Sequence, residues 1–186
     1  MNAPKGHIIV ISPLGDVDPL VLSRIGREIS RIFGYDIETC PLLKDLEFAL
    51  DIDRGQYHST EILEALAAIA PPQALKVLAI VDVDLFIPIL THVYGEAQLG
   101  GQACIVSSCR LKEALSPAGN PEGLTRRLVK ESIHELGHTF NLRHCKDPAC
   151  IMHYCRTVKD VDRKSSELCR YCTILLGDEI DRRHER

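Results

Sequence analysis

Glu131 to Tyr154 reads ESIHELGHTFNLRHCKDPACIMHY. These 24 residues hold four of the chain's eight His and two of its eight Cys, and that density of metal-capable side chains decides how the rest is read. His134 and His138 lie on a segment, about 122 to 142, whose apolar stripe of Leu124, Leu128, Ile133 and Leu136 predicts a helix. Four residues advance a helix by one turn plus about 40°, so both imidazoles face one point and can hold one cation. Glu135 projects beside that face, where zinc chemistry needs a carboxylate to take a proton from water. A lone His-Glu-x-x-His also occurs on exposed, salt-bridged helix faces. His144 separates the two readings. It stands six residues past His138, so the helix has to end between them and turn the chain back, which requires a left-handed stop near residue 141. Asn141 is there, and Asn is the non-Gly residue that best tolerates that conformation. Three His with an open fourth position is a catalytic zinc arrangement, not a structural one.

The cysteines form a second constellation. Cys145 follows His144 directly, Cys150 comes after four intervening residues, and Cys169-x-x-Cys172 lies downstream. Two tightly spaced pairs fit a tetrahedral thiolate zinc site. The alternative, a redox pair at Cys169 and Cys172, would sit after a first strand in a thioredoxin-like chain, not in the tail. Cys155 reads as a buried free thiol, and Cys40, Cys104 and Cys109 as small buried hydrophobes. His7, His58, His92, His153 and His184 have no ligand spacing.

The run His134-Glu135-x-x-His138 with His144 beyond it, followed by Met152, resembles the metzincin metalloproteases, whose pattern sets a Met in a tight turn beneath the metal. Continuing through Cys145-x4-Cys150-x-Met152 to Cys169-x-x-Cys172, it resembles the archaemetzincins in particular. Two departures are visible: Asn141 stands where the family pattern has Gly, and the spacer from Met152 to Cys169 is slightly shorter. The resemblance implies a zincin-like α+β fold of metzincin type. A mixed twisted sheet would set an edge strand over the cleft, and a small Cys-rich zinc-binding subdomain would lie below it. It implies two Zn2+ per chain, one catalytic and one structural, with Glu135 as base. Tyr154 matches a Tyr that approaches the zinc in some metzincins, a role that stands beside simple packing. The strand expected to pair with an extended substrate is Gly101 to Ser107.

The remaining chain is consistent with that architecture. HIIVIS (7–12) reads as a buried strand. The helix after it has Asp18 as N-cap, Pro19 at its first position, Leu22, Ile25, Ile29 and Ile32 as its stripe, and Gly34 as its stop. YDIETCPLL reads as a second strand, RGQYHST as a loop, and Thr60 to Ala70 as a helix closed by Pro71-Pro72. Lys76 to Pro88 reads as one long strand, and the segment around Gly100-Gly101 as a hairpin. From Arg143 the pattern becomes irregular before a terminal helix. Strands alternating with helices predict a largely parallel sheet. We expect a single domain over 1–186, with 1–142 above the cleft and 143–186 below it.

A net charge of -4 with no long basic run, no Trp and few aromatics argue against nucleic acid as partner. No stretch approaches a membrane span, and the apolar run near the N-terminus meets Ser12 and Pro13 before it could form a secretory leader. The expectation is a cytoplasmic monomer, a zinc metallopeptidase acting on peptide or protein substrates. The alternative is a catalytically weak or inactive zinc scaffold that binds peptide or protein partners.

Overall fold

Strand β1 (Ile8–Pro13) buries Ile9, Val10 and Ile11 completely, so both of its faces are covered, as expected for a strand inside a parallel sheet. The structure, a computed structural model, describes residues 7–115 and 120–184. Helix α1 (Pro19–Phe33) starts where Asp18 Oδ1 accepts the Leu20 amide. It stops at Gly34, whose φ of 78° lets its amide reach Ser30 O. The chain returns as β2 (Asp36–Thr39), parallel to β1. After helix α2 (Ser59–Ile69) it enters β5 (Ala74–Val81) on the other side of β1. Strand β8 (Ala103–Ser107) pairs parallel to β5, and β7 (Gly95–Ala97) pairs antiparallel to β8, giving the order β2-β1-β5-β8-β7. A small second sheet joins β3 (Leu50–Asp51), β4 (Gln56–His58) and β6 (Leu85–Phe86).

Two helical layers cover the main sheet. On one face α1 and helix α3 (Pro121–Thr139) pack Ile25, Ile29, Ile133 and Leu136 against Ile9, Ile11, Leu78 and Ile80. On the other, α2 packs Ile62 and Leu66 against Val10, Val77 and Ile105. The first core continues into the C-terminal region through Val158 and Val161 of helix α4 (Val158–Arg163) and Leu176 and Ile180 of helix α5 (Arg170–His184). Among the described residues no helix is long and apolar enough to cross a membrane.

The structure corrects three local expectations. The run from Lys76 to Pro88 is not one strand: Asp82 and Asp84 interrupt it to pair with Ser108 and Lys112 and with Arg110, and Leu85–Phe86 joins the small sheet. Gln56–His58, expected in a loop, is a strand. Gly101 to Ser107 is not the sheet edge. Every residue of β8 is buried between β5 and β7, and on this side the sheet ends at the partly buried three-residue strand Gly95–Ala97.

Helix α3 ends by the route the His spacing required. Asn141 has φ 64°, its amide donates to His138 O at 3.0 Å, and the Leu142 amide reaches back to Gly137 O at 3.1 Å. That is a Schellman stop, with a non-Gly residue in the left-handed position. Asn141→Gly should therefore leave stability within about 1 kcal/mol of the parent, whereas Asn141→Val should cost at least about 1–2 kcal/mol. Urea unfolding of the two variants checks both.

Candidate active site and metal centres

The last two turns of α3 bring His134 and His138 side by side, and the stop at Asn141 swings His144 back to them. One ring nitrogen from each of the three lies within 4.8 Å of the others. The Nδ1 of His134 donates to Ile151 O at 2.8 Å and that of His138 to Leu142 O at 2.7 Å. In these tautomers each Nε2 carries a bare lone pair, and the two Nε2 atoms face one another at 3.2 Å. Two lone pairs that close repel unless a cation lies between them. Tetrahedral zinc with Zn–N near 2.0–2.1 Å would set its ligand nitrogens about 3.3 Å apart, so the spacing fits the ion. Burial holds the imidazoles neutral: it drives His134 well below its ordinary pKa, His138 down to about 4, and His144 down, with the Lys164 ammonium adding in each case.

Glu135, between the two helical His, lies under the edge strand. A Cβ at Gly95 would come within 2.7 Å of Glu135 Cγ and 2.6 Å of Ile105 O, so only Gly lets β7 lie on this carboxylate. Burial, and then the neighbouring Glu131, push the Glu135 carboxyl well above the usual range, while Lys164 opposes them. Beneath α3, Met152 is fully buried with its sulfur so near Gly137 that a Cβ there would approach it to 2.6 Å. The cleft runs between Tyr94–Ala97 on one side and Tyr154–Arg156 on the other. The Tyr154 ring, about half exposed, lies 5.1 Å from that of His144. Glu96 is held to the start of α2 by the Ser59 and Thr60 hydroxyls.

The sulfurs of Cys145, Cys150, Cys169 and Cys172 form a second cluster, all within 4.8 Å of one another. Cys145 and Cys169 are 3.8 Å apart, too far for a disulfide and equal to the edge, about 3.8 Å, of a tetrahedron with Zn–S near 2.3 Å. The Cys169 amide donates to Cys150 Sγ at 3.3 Å. These are the two such clusters among the described residues. Cys155 is half-buried outside both. Cys104 is fully buried, while Cys40 and Cys109 are half-exposed instead of buried as expected.

Sequence reasoning missed Gly95, the Glu131–Lys164 ion pair at 2.8 Å, and α4, which carries the chain to Lys164. Helix α4 did have a signal: Thr157 and Asp160 form a capping box. The other two arise only from tertiary contact.

A mixed sheet lying along a His-Glu-x-x-His helix, with a third His beyond the helix stop and a Met beneath it, defines a metzincin-type zinc metallopeptidase. Residues 46–178 match the peptidase family M54. The archaemetzincin of Methanocaldococcus jannaschii is 33% identical over 174 residues, covering 91% of this chain and 93% of that protein. The crystal structure of the archaemetzincin of Methanopyrus kandleri superposes with a TM-score of 0.85 at 34% identity, over 96% of this chain and 98% of the other. A zinc-dependent peptidase from Methanocorpusculum labreanum superposes at 0.80 with 26% identity, over 90% and 99%. The chain belongs to family M54, the archaemetzincins, and its substrates are peptides or proteins.

The depressed His pKa values give the metal-free protein a pH signature. His138 folded titrates at about 4 against 6.5 for the ordinary group, so between these values the unfolded chain binds the proton and the folded one does not. Stability therefore falls as pH drops through this window, by on the order of 3 kcal/mol for this group when fully expressed. Unfolding of chelator-treated protein from pH 7 to pH 4 should show the decline.

Proposed function

We propose that the chain hydrolyses peptide bonds at a zinc ion held by His134, His138 and His144, with Glu135 as general base and Tyr154 as donor to the developing oxyanion. A second zinc, held by Cys145, Cys150, Cys169 and Cys172, has a structural role. The observation that carries the reading is the convergence of three neutral imidazoles beside one buried carboxylate, under an open sheet edge. The zinc-dependent peptidase of M. labreanum supports the choice of metal. Zinc with three His ligands and an open position acts as a Lewis acid and lowers the pKa of water at neutral pH.

The chain's own groups do the rest. The edge backbone of β7 adds an extended substrate as one more strand, which holds the scissile bond over the His cluster. Glu135 takes the proton of the attacking water. Its raised pKa suits it to keep that proton and pass it to the leaving nitrogen. Tyr154, at the cleft wall beside His144, donates its hydroxyl to the oxygen on which charge develops. In this reading residues 1–142 form the part above the cleft and 143–186 the part below it, within one domain.

Glu135→Gln should lower peptide cleavage by about 10²- to 10⁴-fold or more while zinc content and melting temperature stay near those of the parent. Parent-like turnover on a peptide library would reject the base assignment. The two metals should also leave separately. In a chelator titration the three-His zinc, with its open position and a half-exposed third ligand, departs first, and activity goes with it. The thiolate zinc departs only as the C-terminal region unfolds. Zinc content followed together with melting temperature reads this order, and simultaneous loss would reject the two roles.

A further inference from the structure

One charged contact at the floor of the cleft has no part in the mechanism above. Lys164 has 1% of its side chain exposed and Glu131 5%, with Nζ and Oε1 2.8 Å apart. Burying two charges costs desolvation that their attraction only partly offsets, so such a pair is a poor device for stability alone. Its position is specific. Lys164 Nζ lies 3.4 Å from His134 Nδ1, whose proton is already donated to Ile151 O. The ammonium is thus a fixed positive charge against the back of the ring, opposite the nitrogen that faces the other imidazoles.

The surroundings hold Lys164 there from two sides. Lys130 of α3 donates to the carbonyls of Val161 and Asp162, and Arg127 pairs with Asp162 at 2.7 Å, fastening α4 to α3. Just past Lys164, the Ser165 amide donates to Ala149 O, and Glu167 O accepts the Ile151 amide. The residues flanking Lys164 therefore also fix the segment whose Ile151 carbonyl orients His134.

A divalent ion at the His cluster meets one positive and one negative charge behind His134, and their balance decides how the ion is held. We propose that Lys164 and Glu131 form a charge-balanced pair that sets the cation affinity of the three-His site, Lys164 acting through His134 as a positioning residue and Glu131 as its counter-charge. This rests on the reading of the His cluster as a metal site.

The test uses the full chain with its thiolate cluster loaded. Zinc affinity of the His cluster is measured by chelator competition, alongside melting temperature, for the parent, Glu131→Gln, Lys164→Met and the double variant. Glu131→Gln leaves the ammonium uncompensated and should weaken zinc binding by about tenfold or more. Lys164→Met leaves the carboxylate and should tighten it by about tenfold even though the fold is less stable. The double variant should return to within about threefold of the parent, because losing both charges restores the balance behind His134. A purely structural pair would weaken binding in both single variants in step with melting temperature, and that result overturns the proposal. If Lys164→Met does not fold, Lys164→Arg decides with Glu131→Gln: parent-like affinity in the first and loss in the second support the pair, and the reverse rejects it. A parent that takes up no zinc at the His cluster rejects the metal site itself, an outcome distinct from either.

Discussion

The geometry of the cleft depends on where one helix stops. Had α3 continued past Thr139, His144 would have been carried away from His134 and His138 along the helix axis. The left-handed residue Asn141 prevents this, and the turn it makes is used more than once. The Leu142 carbonyl exposed by the turn takes the Nδ1 proton of His138, so the same residues end the helix and orient a ring. The sheet secures the stop from outside: the Gly100 amide donates to His138 O at 2.9 Å, and Lys76, buried in β5, donates to the carbonyls of Thr139 and Gly101. Terminal helix carbonyls need partners when buried, and here the partners come from the elements that carry the edge strand. Helix end, hairpin and sheet edge are consequently in register with one another.

Close backbone approach governs the other two surfaces of the helix. Gly95 lets the edge strand lie directly on Glu135, and Gly137 lets the Met152 sulfur pack against the helix backbone. A side chain at either position would separate layers that the site requires in contact. The small residues here serve proximity between neighbours, whereas the conformational demand of the turn is met by an Asn.

Much of this was legible in the sequence because it rests on short-range rules. The His spacing, the left-handed residue it demands, the Asp18–Pro19 start and Gly34 end of α1, and the grouping of four cysteines each follow from local geometry. The errors lie where neighbours decide. The hairpin around Gly100-Gly101 is legible, but which of its strands lies outermost is not: Gly101 to Ser107 is the expected edge, whereas Gly95–Ala97 ends the sheet. Asp82 and Asp84 broke an apolar run whose period gave no reason to divide it. The Glu131–Lys164 pair joins residues 33 positions apart, 164 less 131, and no local pattern announces such a contact.

His144 and Cys145 are consecutive, so the imidazole cluster and the sulfur cluster share a single peptide unit. With a metal ion on the four sulfurs, as proposed, the chain from Cys145 to Cys172 becomes a ring, and Met152, Tyr154 and Lys164 all lie within it. Closing a ring removes freedom from everything it encloses, whatever the local contacts. In that reading the order of the Tyr154–Arg156 side of the cleft is inherited from a closure made at its far end. Sequence change within that ring can alter which side chains face the substrate without loosening the wall that presents them.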